Sequence, residues 1–203
     1  YMILHIHPDN PQPRLIKQIV ESLKKGGIII YPTDTVYGLG CDILQQKAVE
    51  RICRIKQVDP KKAQLSFVCS DLSHLSDFAK PISNPVFRIL KEYLPGPYTF
   101  ILPASKMVPK ILQSKKDTIG LRIPNNNIAM AIVYELGRPI LSASLPGEMV
   151  EDYTDPEIMH QNFMNEVDFV VDGGIGGTVP STVVDFTGDA PVLVRAGLGE
   201  WEE

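Results

Sequence analysis

Over residues 14–25 the apolar positions Leu15, Ile16, Ile19, Val20 and Leu23 recur at the spacing of one helix face, and Gly26-Gly27 stops the run. The pattern then changes. Ile28-Ile29-Ile30-Tyr31 is short, continuously apolar and β-branched, which predicts a strand buried on both faces. Pro32-Thr33-Asp34-Thr35 breaks it, and residues 36–40 resume in extended form. Ala48, Val49, Ile52, Cys53 and Ile55 mark a second amphipathic helix, and residues 65–69 a further strand. Ser83 with Pro85 shortly after reads as a helix start, with Val86, Phe87, Ile89 and Leu90 on the inner face and Pro95-Gly96-Pro97 beyond the end. Strand-like runs follow at 98–102, 118–123, 140–144, 169–172, 182–186 and 192–195, with a helix over 128–136. Helices and strands alternate early, and the last third is rich in strands and turns. That order predicts an α/β (α+β) chain built on a mixed, twisted sheet rather than a doubly wound parallel one.

Composition narrows the class. The chain has 203 residues, 44% hydrophobic and 22% charged, which fits one domain over residues 1–203 and excludes an extended disordered chain. Tyr1 ahead of Met2 is set aside as a cloning remnant. No apolar run approaches the roughly 20 residues that cross a bilayer, and no cationic stretch leads into an apolar one at the start. Cys41, Cys53 and Cys69 are odd in number and widely spaced, which suits a reducing cytoplasm better than a disulfide framework. The expectation is a cytoplasmic protein with no membrane partner. Net charge is −4, so any RNA-binding surface must be a local patch.

Familiar catalytic templates are missing: there is no GxSxG elbow and no Walker loop. His5 and His7 alternate and could grip a metal from one strand face. With no third ligand in view, the exposed edge of an N-terminal strand explains them better, and no metal site is expected. Gly173-Gly174-Ile175-Gly176-Gly177 resembles a phosphate cradle, but no helix pattern follows it, which leaves a flexible turn or a loop that moves over a site. Small hydroxyl residues recur where strands end: Thr33, Thr35, Thr118, Ser142, Ser144, Ser181 and Thr182. Arg122 and Arg195 lie in similar strand contexts. Hydroxyls and guanidinium forks without a carboxylate pair suit phosphate or carboxylate binding, but on spacing alone strand capping and surface ion pairing are the favoured account.

Five blocks carry a resemblance. Tyr31-Pro32-Thr33-Asp34-Thr35-Val36-Tyr37-Gly38-Leu39-Gly40-Cys41-Asp42 resembles the signature of the YrdC/YciO family of threonylcarbamoyl-AMP synthase-like proteins, in its YciO branch. Ile52-Cys53-Arg54-Ile55-Lys56-Gln57, Leu94-Pro95-Gly96-Pro97-Tyr98-Thr99-Phe100, Thr118-Ile119-Gly120-Leu121-Arg122-Ile123-Pro124 and Pro180-Ser181-Thr182-Val183-Val184-Asp185 follow in the family's order. The resemblance implies one domain with a large twisted mixed sheet flanked by helices and an ATP site on a concave face. It implies a reaction of ATP, threonine and bicarbonate to threonylcarbamoyl-AMP and pyrophosphate, used in threonylcarbamoyladenosine modification of tRNA, with ATP arriving with Mg²⁺ as substrate.

Carried over by position, Thr35, Arg122 and Ser181 would hold the amino acid, and Thr118, Ser142, Ser144 and Arg195 the nucleotide. Lys56 would neutralise charge at the reacting phosphate. Two departures bear on the activity. The family's Lys-x-Arg is Lys56-Gln57-Val58 here, and its Ser-x-Ser-Ala-Asn is Ser142-Ala143-Ser144-Leu145-Pro146. Loss of a fixed guanidinium at a phosphoryl-transfer centre removes transition-state stabilisation. The alternative implied function is therefore a double-stranded RNA- or tRNA-binding, or nucleotide-binding, protein without synthase activity. Two basic stretches would serve it: Arg51, Arg54, Lys56, Lys61 and Lys62, and the run Lys106, Lys110, Lys115, Lys116 and Arg122 opposed by Asp117 alone. Arg54, Lys61, Lys62, Lys115 and Lys116 are the candidate RNA contacts.

Overall fold

Apolar runs separated by turn residues become strands of a single sheet. A computed structural model describes residues 2–59, 65–109, 112, 117–146 and 153–202. Along them lie β1 (Met2–His5), α1 (Pro13–Lys24), β2 (Ile29–Tyr31), β3 (Gly38–Asp42), α2 (Gln46–Lys56), β4 (Ser66–Val68), α3 (Leu72–Ser76) and α4 (Asn84–Tyr93). β5 (Tyr98–Pro103), β6 (Thr118–Arg122), α5 (Asn127–Leu136), β7 (Ile140–Ser144), α6 (Pro156–Phe163), β8 (Phe169–Asp172), β9 (Thr182–Asp185) and β10 (Val192–Arg195) complete the order. The described strands form one ten-stranded sheet in the order β1-β8-β2-β3-β7-β4-β6-β5-β9-β10. β8 runs parallel to β1 and β2, β4 to β6 and β5 to β9, and the remaining neighbours are antiparallel. The sheet is thus mixed, as the element order predicts, and belongs to a single domain. Among the described residues no helix is long and apolar enough to cross a membrane.

Helices cover both faces. Ile16, Ile19, Val20 and Leu23 of α1 and Ile128, Ile132 and Val133 of α5 pack on Ile29, Tyr31, Val68, Ile140 and Val171. On the other face Val49 and Ile52 of α2, Leu90 of α4, and Met159 and Phe163 of α6 pack on Leu39, Phe67, Phe100, Leu121, Leu141 and Val184. β2 is covered from both sides and hydrogen-bonded along both edges, which is why every one of its positions is apolar. The Ser83 hydroxyl caps α4 at the Val86 amide, as the sequence predicts. The helix α6 was not predicted. It buries few residues, chiefly Met159 and Phe163 one turn apart, too short a period to stand out; the cap Asp155 followed by Pro156 was the available signal.

One polar contact anchors the β3 end of the core. Asp42 is fully buried; its carboxylate accepts from the Leu44 amide at 3.0 Å and from Arg138 Nε at 2.7 Å, and Arg138 Nη2 takes the second oxygen. Arg138→Met leaves that carboxylate inside without its cation. It is expected to cost about 3–5 kcal/mol, read as a lower urea midpoint at unchanged slope; an unchanged midpoint would contradict the assignment.

Candidate functional site

Strand register decides where this sheet can hold a ligand. Gly40 pairs with Ser142, Ser142 with Ser66, and Ser66 with Gly120, so four small residues stand side by side on β3, β7, β4 and β6. Ile101 and Asp185 continue the row on β5 and β9. The row lies on the face that α1 and α5 share, but those helices sit over Ile29, Tyr31, Val68 and Ile140 and leave it uncovered. A cavity of about 480 Å³ opens there, within the size range of small-molecule sites.

Eight sequence-predicted residues line it: Thr33, Thr35, Thr118, Arg122, Ser142, Ser144, Ser181 and Arg195. Arg122 ends β6, and its side chain is almost wholly buried. Its Nη2 donates to Asp34 Oδ1 at 3.0 Å and to Thr35 Oγ1 at 3.3 Å. Asp34 is held in turn by the Asn125 amide at 2.9 Å. Burial pulls the Arg122 guanidinium below its ordinary value while Asp34 opposes the shift, and its Nε is buried with no acceptor among the described residues. A buried donor left unpaired carries a desolvation cost.

Arg195 reaches in from β10. Its Nε and Nη2 donate to the Ser181 carbonyl at 3.0 and 2.8 Å, and Nη2 also to Ser181 Oγ at 3.1 Å. Burial and then the nearby Arg122 cation lower its affinity for a proton. The two guanidinium groups therefore feel one another across the same cavity. Ser181 Oγ also meets Thr99 Oγ1 at 2.8 Å.

Other predicted residues are placed differently. Lys56 does not line the cavity: its Nζ donates to the backbone oxygen and hydroxyl of Ser144, both at 2.8 Å, and so meets the wall through that serine. Burial lowers its pKa. Arg54 is exposed on α2 and apart from the cavity, whereas Arg51 turns to the Gly26 and Glu166 carbonyls. Lys61, Lys62, Lys115 and Lys116 lie outside the described residues. Thr182 donates away from the site to the Gly199 carbonyl.

The glycine-rich segment is tied in place. Amides of Gly173, Gly174, Gly176 and Gly177 donate to the Tyr37 hydroxyl, Asp172, and the Thr154 and Thr35 carbonyls, so these groups are already used. His5 pairs with Asp172 at 2.8 Å near Glu157, at the exposed edge strand, whereas His7 lies past β1 and accepts from the Asp9 and Asn10 amides.

Sequence reasoning missed Ser66, Thr99 and Asp185, which also line the cavity. Their alternation with Phe67, Phe100 and Val184 gives the face of each strand, but neighbours such as β4 and β7 are far apart in sequence.

A family model described as "Telomere recombination" (Sua5/YciO/YrdC) matches residues 21–197. The chain belongs to this family. It is 48% identical over 199 residues to YciO of Escherichia coli (strain K12), covering 97% of this chain and 95% of that protein. A threonylcarbamoyl-AMP synthase of Pyrococcus abyssi is 33% identical over 178 residues, 86% of this chain but 52% of the synthase. Among solved structures, E. coli YciO superposes with a TM-score of 0.91 at 46% identity, covering 98% and 97% of the two chains. P. abyssi Sua5 complexed with L-threonine gives 0.88 at 30% identity, over 97% of this chain and 58% of Sua5.

Proposed function

We propose that the cavity takes ATP together with threonine and bicarbonate, and that the protein is a threonylcarbamoyl-AMP synthase-type nucleotidyltransferase serving tRNA modification. The observation that carries this reading is the meeting of Arg122 and Arg195 on one hydroxyl-lined cavity, with Arg122 Nε buried and without an acceptor among the described residues. Anionic groups of two kinds suit it: a carboxylate on the Arg122 fork beside Thr35 and Ser181, and phosphates on Thr118, Ser142, Ser144 and the free face of Arg195. The synthase names of the more distant relatives, and the L-threonine held by P. abyssi Sua5, agree with that division.

The chemistry asks little of a protein base. Threonine's amine and bicarbonate give a carbamate with loss of water. A carbamate oxygen attacks the α-phosphorus, the bond to the bridging oxygen breaks, and pyrophosphate leaves. Positioning and charge neutralisation carry such a transfer. Mg²⁺ fits as the companion of the triphosphate: Asp185 is the one carboxylate among the described cavity residues, too few for a protein cage.

A second reading has an observation of its own. Val58, in the place of the family's arginine, is a partly exposed apolar side chain just past α2, so the fixed cation is missing beside Lys56. A protein that binds a nucleotide or structured RNA without turnover would tolerate that loss. Pyrophosphate release separates the two. The first reading expects release only when ATP, threonine and bicarbonate are all present. ATP binding with no threonine-dependent release favours the second reading, as does tRNA binding that weakens steeply with salt.

A further inference from the structure

We infer that Tyr31 is a positioning residue that turns the Ser142 hydroxyl proton into the cavity, toward a ligand oxygen that accepts it. The inference rests on the anion-binding reading above and goes beyond it by assigning the proton direction of the Ser142 hydroxyl.

A serine or threonine hydroxyl has one proton to give and lone pairs to receive. The Tyr31 hydroxyl is fully buried, and Ser142 Oγ, 2.8 Å away, is the one acceptor it meets among the described residues. Leaving that O–H unpaired inside the core would be costly, so Tyr31 donates and Ser142 receives from behind. Burial pushes the phenol up to about 12, which keeps the donating proton in place at ordinary pH. The Ser142 proton is then left for the cavity that this residue lines.

The same direction recurs around the wall. Lys56 donates to Ser144 Oγ at 2.8 Å, Arg195 to Ser181 Oγ at 3.1 Å and Arg122 to Thr35 Oγ1 at 3.3 Å. Lysine and arginine have no lone pair to offer, so these three hydroxyls can only receive from them. Ser144, like Ser142, then has its own proton left for the cavity; the Thr35 proton has an acceptor in Thr33 Oγ1 at 3.1 Å, whose own proton goes to the Val36 carbonyl, and Ser181 shares one with Thr99 Oγ1 at 2.8 Å. Ionised phosphate, pyrophosphate and carboxylate oxygens accept hydrogen bonds, and they complement the Ser142 and Ser144 protons.

Gly40 explains why a tyrosine two strands away reaches β7. The Tyr31 ring lies across β3, and a Cβ at Gly40 would fall 2.7 Å from Tyr31 Cε1 and 2.8 Å from Ile140 Cγ2. Only a residue without a side chain lets the ring lie there.

The test measures binding of ATP, and separately of inorganic pyrophosphate, by calorimetry to the wild type, Tyr31→Phe, Ser142→Ala and the double variant. Tyr98→Phe is the control: it deletes a similar hydroxyl, which donates to the Glu200 carbonyl at 2.6 Å away from the cavity. Tyr31→Phe is expected to weaken both ligands by about 5–10-fold, the effect of one neutral hydrogen bond. The double variant should bind no more weakly than Ser142→Ala alone, because Tyr31 acts through that serine. Tyr98→Phe should bind as the wild type does. Wild-type affinity in Tyr31→Phe, losses that simply multiply in the double variant, or equal weakening in Tyr98→Phe would each overturn the assignment. A wild type that binds pyrophosphate but not ATP removes the nucleotide reading and leaves the Tyr31 test to be decided on pyrophosphate. Binding of neither overturns both.

Discussion

Arg122→Ala is expected to lower threonine-dependent pyrophosphate release by at least about 100-fold, the scale of losing a fixed charge donor at a reacting centre. It should also lower stability by about 3 kcal/mol, because Asp34 is left nearly buried without its cation. The two losses have different origins and can be separated. Asp34 keeps the Asn125 amide but no positive partner, so adding Asp34→Asn to Arg122→Ala should recover part of the stability and none of the activity. Arg122→Lys retains the charge and loses the planar fork, and should fall between wild type and alanine in activity. Urea unfolding and a pyrophosphate assay on the same preparations read both quantities. Turnover in Arg122→Ala within a few-fold of wild type would remove this residue from the reaction, however large the stability change.

The sequence carried α1, α2, α4 and α5 and most strands because their signals are local, and missed the short helices α3 and α6. α1 shows its buried stripe at Ile16, Ile19, Val20 and Leu23, and α4 shows both its serine cap and its first-turn proline. β3 starts at Gly38, later than the sequence pattern implies, because Thr33 organises the preceding turn: its hydroxyl accepts from the Thr35 amide at 3.0 Å and donates to the Val36 carbonyl at 2.8 Å. That is a short polar contact that hydropathy does not display.

The site was legible in part. Its arginines and strand-end hydroxyls stand out as residue types, and four of the five sequence blocks contribute residues to the one cavity. What the residues share only through pairing was hidden. Ser66 becomes a wall residue because β4 lies between β7 and β6, an order set by crossovers between distant segments. Tyr31 reads as the end of a buried strand until the ring is seen beneath Ser142. Lys56 shows the reverse case: a cation expected at the reacting phosphate is spent on Ser144, so in this conformation it shapes the wall and does not line the cavity.

Filling the trough at its floor gives the second large effect. Gly120→Val is expected to preserve the fold and weaken ATP by at least about 100-fold, since the added carbons occupy ligand volume that no rearrangement of the ligand avoids. A Cβ at this position would lie 3.1 Å from Thr99 Cγ2 and 3.3 Å from Ser66 Cβ, so the neighbours must give by a few tenths of an ångström. Overpacking of this kind costs about 1–3 kcal/mol, offset in part by the strand preference of a β-branched residue. The two further methyl groups stand on the cavity side of β6, between Ser66 and Ile101 in the register. Gly188→Val, placed in a turn where an added Cβ meets nothing within 4 Å, should leave ATP binding unchanged. Calorimetry with ATP and far-ultraviolet circular dichroism on the two variants distinguish a blocked cavity from a disrupted sheet. A folded Gly120→Val protein that binds ATP as tightly as the wild type would mean that the nucleotide does not rest on this row of small residues, and the roles given to Ser142 and its neighbours would fall with it.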